Sequence, residues 1–341
     1  LASASTITWL IHQKFELSIP LYRQEKEWEA LGLRLSRATM SNWLLVVYRD
    51  WLVHIVHRLK LELLKQRYLH IDETHVQVLK EPGRKNTSDS YMWVYCSIRD
   101  AVNPIRYFEY QPGRSGKYPE AFLREYEGYI HTDAYSGYNA VSGVKRCLCY
   151  THLRRAFVDA LPKDIHNSEA SKPAEAILRL NQLFNIESEL EALPPDQKKK
   201  ERLIREKPLL EAFWSWAEKS AIGELPKSKL SKAFHYALNN REGFWNYLED
   251  GNCSISNSLA ENCIRPFVIG RKNWLFSGSP KGAEASAGIY TLVETAKANG
   301  LAPMKYIKYI LSDMPGSAFL EHPEYLDDYL PWNPLVKEFC R

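Results

Sequence analysis

The stretch Tyr68-Leu-His-Ile-Asp-Glu-Thr-His-Val-Gln-Val-Leu79 constrains this chain more tightly than any other. Leu69, Ile71, Val76 and Val78 alternate with polar neighbours, and a period of two predicts a half-buried strand. Asp72 falls in the middle of that strand, where a carboxylate is costly unless something neutralises it. Metal ions shared with carboxylates from elsewhere in the chain are the usual remedy, so the question is where Asp72 finds its partners.

A chain of 341 residues can bury a large core and has room for about two or three domains. Its 45% hydrophobic and 25% charged residues are those of an ordinary globular protein. No apolar run reaches the roughly 18 to 20 residues of a bilayer span, so no membrane partner is expected. His12, Gln13, Lys14 and Glu16 interrupt the first twenty residues, so no signal peptide is expected among them. Six scattered cysteines do not make a disulfide framework, and a reduced, cytoplasmic setting is the expectation. A net charge of +4 and a pI near 8.6 permit a nucleic-acid partner without requiring one. The sequence opens on Leu1, without methionine, so a segment upstream of it is expected.

The texture changes along the chain. Residues 1–65 read as helical. Ile7, Leu10, Ile11 and Phe15 give the first helix its apolar side, a second helix spans about Leu21 to Ala30, and a third starts after Ser36, a good N-cap. The Leu31-Gly32-Leu33 turn between the last two has the grammar of a helix-turn-helix. In that reading Arg37, Thr39, Ser41 and Asn42 would face DNA; a plain helical hairpin explains the same pattern. From Tyr68 three strands with short connections predict an antiparallel meander, and strands near 128–133 and 145–149 then alternate with helices. This predicts an α/β fold: a mixed sheet with helices on its faces, whose first part is residues 66–165. Residues 166–250 read as an all-helical insertion, with Pro194-Pro195 and Lys198-Lys199-Lys200 as a solvated turn inside it. The sheet domain resumes over 251–313, and 314–341 is a partly ordered extension.

Two further carboxylates stand out, 61 and 128 residues apart in the series Asp72, Asp133, Glu261. Asp133 closes a short strand, where side chains face clefts, although an Asp before Ala134-Tyr-Ser-Gly137 also suits an Asx turn. Glu261 sits on a short helix that Pro266 is expected to kink or end. Ser258-x-x-Glu261 equally spells a capping box. Glu73, next to Asp72, is set aside because alternation turns it to the opposite face. Cys147-x-Cys149-x-x-His152 lacks a fourth ligand at suitable spacing and reads as core thiols, so no structural zinc is expected.

Several motifs together resemble the insertion sequence 66 family of bacterial transposases. They are Pro20-Leu-Tyr-Arg-Gln-Glu25 with Leu35-Ser-Arg-Ala-Thr-Met-Ser-Asn-Trp43, His70-Ile-Asp-Glu-Thr74, Thr132-Asp-Ala-Tyr-Ser-Gly-Tyr-Asn139, Cys149-Tyr-Thr-His-Leu-Arg-Arg-Ala-Phe157, Asn257-Ser-Leu-Ala-Glu-Asn-Cys-Ile-Arg-Pro266 and Gly270-Arg-Lys-Asn-Trp-Leu-Phe-Ser-Gly278. Glu294-Thr-Ala-Lys-Ala-Asn-Gly300 and Leu330-Pro-Trp-Asn333 fit as well. The resemblance implies an RNase H-like (retroviral-integrase-like) catalytic core in which Asp72, Asp133 and Glu261 are the Asp-Asp-Glu triad. The family usually carries a cysteine-rich zinc-binding segment upstream of the point where this sequence starts. Asn257-Ser258-Leu259 also departs from the more polar Asn-Asn-Arg common before the glutamate.

The implied activity is metal-dependent DNA cleavage and strand transfer, with two Mg²⁺ ions that Mn²⁺ can replace. Asp72 would bridge the ions, with Asp133 on one and Glu261 on the other. Arg265, Arg271, Lys272, Trp274 and Lys281 form a basic, aromatic-interleaved stretch suited to DNA phosphates and a distorted base. His152, Arg154 and Arg155 are candidates for the same groove. The implied partners are element-end and target DNA and further copies of the chain. A catalytically silent DNA-binding remnant or regulator is the alternative; glycoside hydrolysis by a carboxylate pair fits poorly with the basic surround.

Overall fold

The computed structural model describes residues 2–162 and 171–341. The expected division at 165/166 therefore lies outside the described residues. The chain divides into two compact units, Leu1–Leu123 with Leu259–Arg341, and Arg124–Ser258. Both mix helices and strands.

The first unit starts with α1 (Ala4–Ile11), capped by the Ser3 hydroxyl and prolonged by a π-type turn over His12–Glu16. Helix α2 (Leu21–Ala30) follows. Gly32 then turns the chain at φ 84°, a left-handed conformation that glycine adopts without steric cost. Helix α3 (Arg37–Val47) begins where the Ser36 hydroxyl accepts from the Thr39 amide at 3.1 Å, as the N-cap reading expects. A π-type turn over Tyr48–Leu52 leads straight into α4 (Val53–Leu64), whose Ile55, Val56, Leu59 and Leu63 are buried.

Strands β1 (Tyr68–Val78), β2 (Asp89–Ser97) and β3 (Arg106–Gln111) form the expected antiparallel meander. In its register Asp72 pairs with Val94 and Val94 with Phe108, so these three share one face. Glu73, Trp93 and Glu109 share the other. Helix α5 (Lys117–Phe122) belongs to the second face, where Phe122 stacks on Tyr95 at 3.6 Å between ring centroids and Lys60 of α4 lies 4.0 Å above the Phe122 ring.

The second unit holds β4 (Gly128–Thr132) and β5 (Val144–Leu148), paired in parallel with His131 opposite Cys147. Helix α6 (Tyr150–Val158) follows, then α7 (Lys172–Glu189) and α8 (Pro195–Glu201). The three lysines 198–200 lie on α8, not in a turn: Pro195 occupies the first helical position, where its fixed φ starts a helix. A π-type turn over Arg202–Glu206 joins α8 to α9 (Lys207–Ala221). Helices α10 (Lys229–Asn239) and α11 (Arg241–Trp245) complete this unit, whose core is aromatic: Phe157 meets Phe213 and Phe234, and Tyr150 meets Phe244 and Tyr247.

The chain re-enters the first unit on α12 (Ser258–Trp274), followed by β6 (Phe276–Ser277), which pairs in parallel with Gln77 and Val78 of β1. Pro266 does not end α12; the helix runs eight residues past it. Burial of Ile264, Phe267 and Gly270 holds both halves in place and offsets the lost backbone hydrogen bond. Helix α13 (Pro280–Ala298) is buried on nearly all sides. Its Thr291 and Thr295 hydroxyls accept from the backbone amides of Phe108 and Arg106 at 2.8 and 3.0 Å, closing the outer edge of β3. Helix α14 (Pro303–Asp313) and the tail with α15 (Pro334–Cys340) pack onto it. Tyr306 bonds the Tyr329 carbonyl at 2.8 Å and the Ala302 amide bonds that of Cys340 at 2.7 Å, so the tail is an ordered part of this unit.

Candidate active site

In the first unit Asp72 is half-buried on β1, and its Oδ1 accepts from the Glu73 amide at 2.9 Å. Two contacts bring α12 to the same face of the sheet. Cys263 of α12 hydrogen-bonds Cys96, the register neighbour of His70, and Arg271 donates to the Thr74 hydroxyl at 3.0 Å. His70, Asp72 and Thr74 alternate onto one face. Glu261, in the first turn of α12, therefore belongs to the helix that crosses the side of the sheet bearing Asp72. Ser258 is the first helical residue and its hydroxyl meets that of Ser256 at 2.9 Å. Glu73 behaves as alternation requires: it points the other way, with its side chain 2% exposed and paired to Arg114 at 2.5 Å. A buried carboxylate neutralised by its own arginine explains why an acidic residue sits beside Asp72 without belonging to the same chemistry.

Of the basic residues after Glu261, Arg265, Arg271 and Lys272 lie on α12 itself. At 100° per residue Glu261, Arg265 and Lys272 fall within one narrow stripe, and Arg265 and Lys272 are exposed. Arg271 is turned inward: besides Thr74 it bonds the His75 carbonyl, and burial pulls its pKa below the ordinary guanidinium value. Arg271 and Lys272 line one open cleft of about 470 Å³ together with His75, Gln77, Thr87, Asp89 and Leu275. Trp274 is half-buried, its ring edge-on to Phe267 at 5.3 Å, which makes it a packing residue first. Lys281 is exposed at the start of α13.

At the N-terminus Arg37, Thr39 and Asn42 are exposed and Ser41 is half-buried, on a helix tied to α2 by the Arg37 amide bonding Glu25 at 3.0 Å. The groove between α2 and α3 is lined by Glu25 and Glu29 as well as Lys26, Arg34 and Arg37, so its charge is mixed.

In the second unit Asp133 follows β4 directly. Its Oδ1 accepts from the Tyr135 amide at 2.9 Å, which is the Asx-type bond anticipated for this turn. The turn is held by a residue with no signature in the sequence, Arg146 of β5. Its guanidinium donates to the Thr132 hydroxyl (2.7 Å), the carbonyls of Asp133 (2.6 Å) and Tyr135 (2.8 Å) and the Asn139 side chain (2.6 Å), and it lies 5.2 Å from the centre of the Tyr138 ring. A planar five-donor fork can hold so many acceptors at once; an ammonium cannot. Tyr236 of α10 also approaches: burial, and after it the Asp133 charge, push its phenol pKa up. On α6, Arg155 is exposed and His152 half-buried, whereas Arg154 is engaged with Asn181 of α7 at 2.7 Å. Cys147 and Cys149 are buried, as core thiols should be, but they part company: Cys149 accepts from the Asn257 amide at 3.1 Å, and Cys147 meets His131 and Cys253.

Residues 1–285 match the family described as "Transposase IS66 family". The chain belongs to this family. Three curated proteins of Sinorhizobium fredii (strain NBRC 101917 / NGR234), all described as uncharacterized, are similar along nearly the whole chain. The first, y4hP, is 26% identical over 95% of this chain and 60% of its own length. The second, y4qI, is 28% identical over 96% of this chain and 62% of its length, and y4jD is 25% identical over 98% and 66%. This IS66-family chain thus spans less than two thirds of these relatives. No solved structure matches it. Among the described residues no helix is long and apolar enough to cross a membrane.

Proposed function

We propose that this IS66-family chain is a DNA transposase that cleaves and rejoins phosphodiester bonds on an RNase H-like core, with Asp72, Asp133 and Glu261 as its metal-holding carboxylates. Family membership over a span that includes all three is the observation that carries the reading. Asp72 lying on the sheet face crossed by the helix of Glu261 supports it.

The donor set fits Mg²⁺: three carboxylates offer hard oxygens, each from a half-buried residue. Asp72, Asp133 and Glu261 are the residues that would hold the ions. Bound there, the ions would activate water or a 3′-hydroxyl for in-line attack and stabilise the leaving oxygen. The chain's own residues do the rest. Arg265 and Lys272, on the Glu261 stripe, hold phosphates of the strand beside the carboxylates, and Lys281 and Arg155 extend the contact. Arg146 keeps the Asp133 turn from rearranging when charge accumulates near it. Arg37, Thr39, Ser41 and Asn42 supply a second contact to DNA or to another copy of the chain.

The test is nicking and joining of DNA bearing the ends of the encoding element, with Mg²⁺ or Mn²⁺. Asp72→Asn, Asp133→Asn and Glu261→Gln should each reduce cleavage by at least about 10³-fold, as expected when a metal site is dismantled, while DNA binding persists. Undiminished nicking by Asp72→Asn would refute the assignment. Binding without cleavage by the parent chain would favour a DNA-binding regulator instead.

A further inference from the structure

A second cluster, wholly within the second unit and separate from the three carboxylates, has a different chemistry. His131 of β4, Cys147 of β5 and Cys253 from the segment before α12 place their ligand atoms within 4.8 Å of one another. All three are buried to 1% exposure. We propose that His131, Cys147 and Cys253 form a binding site for a soft d¹⁰ cation of the Zn²⁺ class, which staples the β4–β5 pair to the Asp250–Asn257 segment.

Three observations support this. The parallel register sets His131 directly beside Cys147, so two of the donors come from a rigid pair of strands. The third is held from outside the cluster: Arg202, itself 0% exposed, donates to the carbonyls of Tyr247, Asp250 and Cys253 at 3.1, 3.1 and 2.8 Å. His131 Nε2 accepts from the Ser254 amide at 2.8 Å, which sets the Nδ1–H tautomer and aims the Nε2 lone pair at the Cys253–Ser254 segment. A cation would take that lone pair in place of the amide.

The donor types choose the ion. Two thiolates and an imidazole suit Zn²⁺ and are poor ligands for Mg²⁺, so this site would not compete for the ions proposed at the carboxylates. Two thiolates also neutralise a divalent charge, which lets the site stay buried without a net ion. Each thiol gives up its proton on binding, and the fourth tetrahedral position goes to a small ligand such as water.

The test uses the full chain purified under reducing conditions. One equivalent of zinc per chain is expected, released by a thiol-blocking mercurial, and Co²⁺ should give a thiolate-to-cobalt charge-transfer band. Cys147→Ser and Cys253→Ser should each weaken the metal by about tenfold or more, while Cys96→Ser, in the other thiol pair, leaves it bound. Should the serine variants not fold, X-ray absorption of the parent's zinc decides: a shell containing two sulfurs supports the site, and an oxygen–nitrogen shell overturns it. Absence of a cobalt–thiolate band in the reduced chain also overturns it. So does an intact mass showing Cys147 and Cys253 joined as a disulfide in the chain as isolated.

Discussion

At the scale of single residues, Arg146 bears most of the order around Asp133. Its guanidinium binds three backbone or side-chain oxygens within the 132–135 turn and a fourth on Asn139. Arg146→Ala should cost about 2 to 3 kcal/mol, since it leaves half-buried carbonyls without donors. Arg146→Lys should recover little of that, because an ammonium cannot span the same acceptors. Urea unfolding measures both, and a lysine variant as stable as the parent would show that charge alone suffices. None of this was legible in the sequence. Asp133 stood out because it closes a strand before a glycine turn, but Arg146 is one of many arginines, and its role arises from the pairing of β4 with β5. The same holds for Arg114 and Glu73: alternation predicts that Glu73 turns away from Asp72, and only the fold supplies the partner it turns towards.

At the scale of elements, the π-type turn over Arg202–Glu206 is the hub of the helical insertion. Arg202 forms a two-pronged pair with Glu187 at 2.5 and 2.8 Å while binding three carbonyls of the segment that leads to α12. Arg202→Ala should destabilise the chain by about 3 to 5 kcal/mol, because Glu187 is left charged and buried. Glu206 has the opposite character. Burial first, and then the Glu187 charge, push its pKa from 4.5 to about 8, and the Tyr247 hydroxyl donates to it at 2.6 Å. The folded chain thus retains a proton that the unfolded chain releases above its ordinary value. The stability this proton confers is complete below pH 4.5 and is lost as pH rises to about 8. Glu206→Gln keeps the acceptor and removes the titration. The variant should match the parent near pH 4 and exceed it in urea midpoint near pH 9, to within about a pH unit. An equal difference at both pH values would contradict a buried proton. Periodicity correctly predicts that this region is helical; it cannot show which charges the helices enclose.

Across the whole molecule, a net charge of only +4 makes the distribution of charge more informative than its sum. The exposed Arg265 and Lys272 share a stripe with Glu261, whereas Arg271 and Arg154 are spent on internal bonds. Replacing Lys272 by Ala should lower the salt dependence of DNA binding by about one unit of slope, and replacing Arg154 should leave that slope unchanged. Equilibrium binding to duplex DNA across a salt series measures this, and an unaltered slope for Lys272→Ala would remove it from the interface.

The sequence by itself determined the local elements and the identity of the acidic residues worth considering. Alternation placed β1 to β3, the Ser36 cap started α3, and Asn299-Gly300 ended α13, because each is a short-range effect written in neighbouring residues. The tertiary structure decided that α12 passes through Pro266, that Trp274 packs on Phe267, and that Cys147 meets His131 and Cys253 in place of Cys149 and His152. Each of these depends on burial or on contact between segments remote in sequence. Such contacts leave no period and no fixed spacing to be read, since they exist only once the chain has closed on itself.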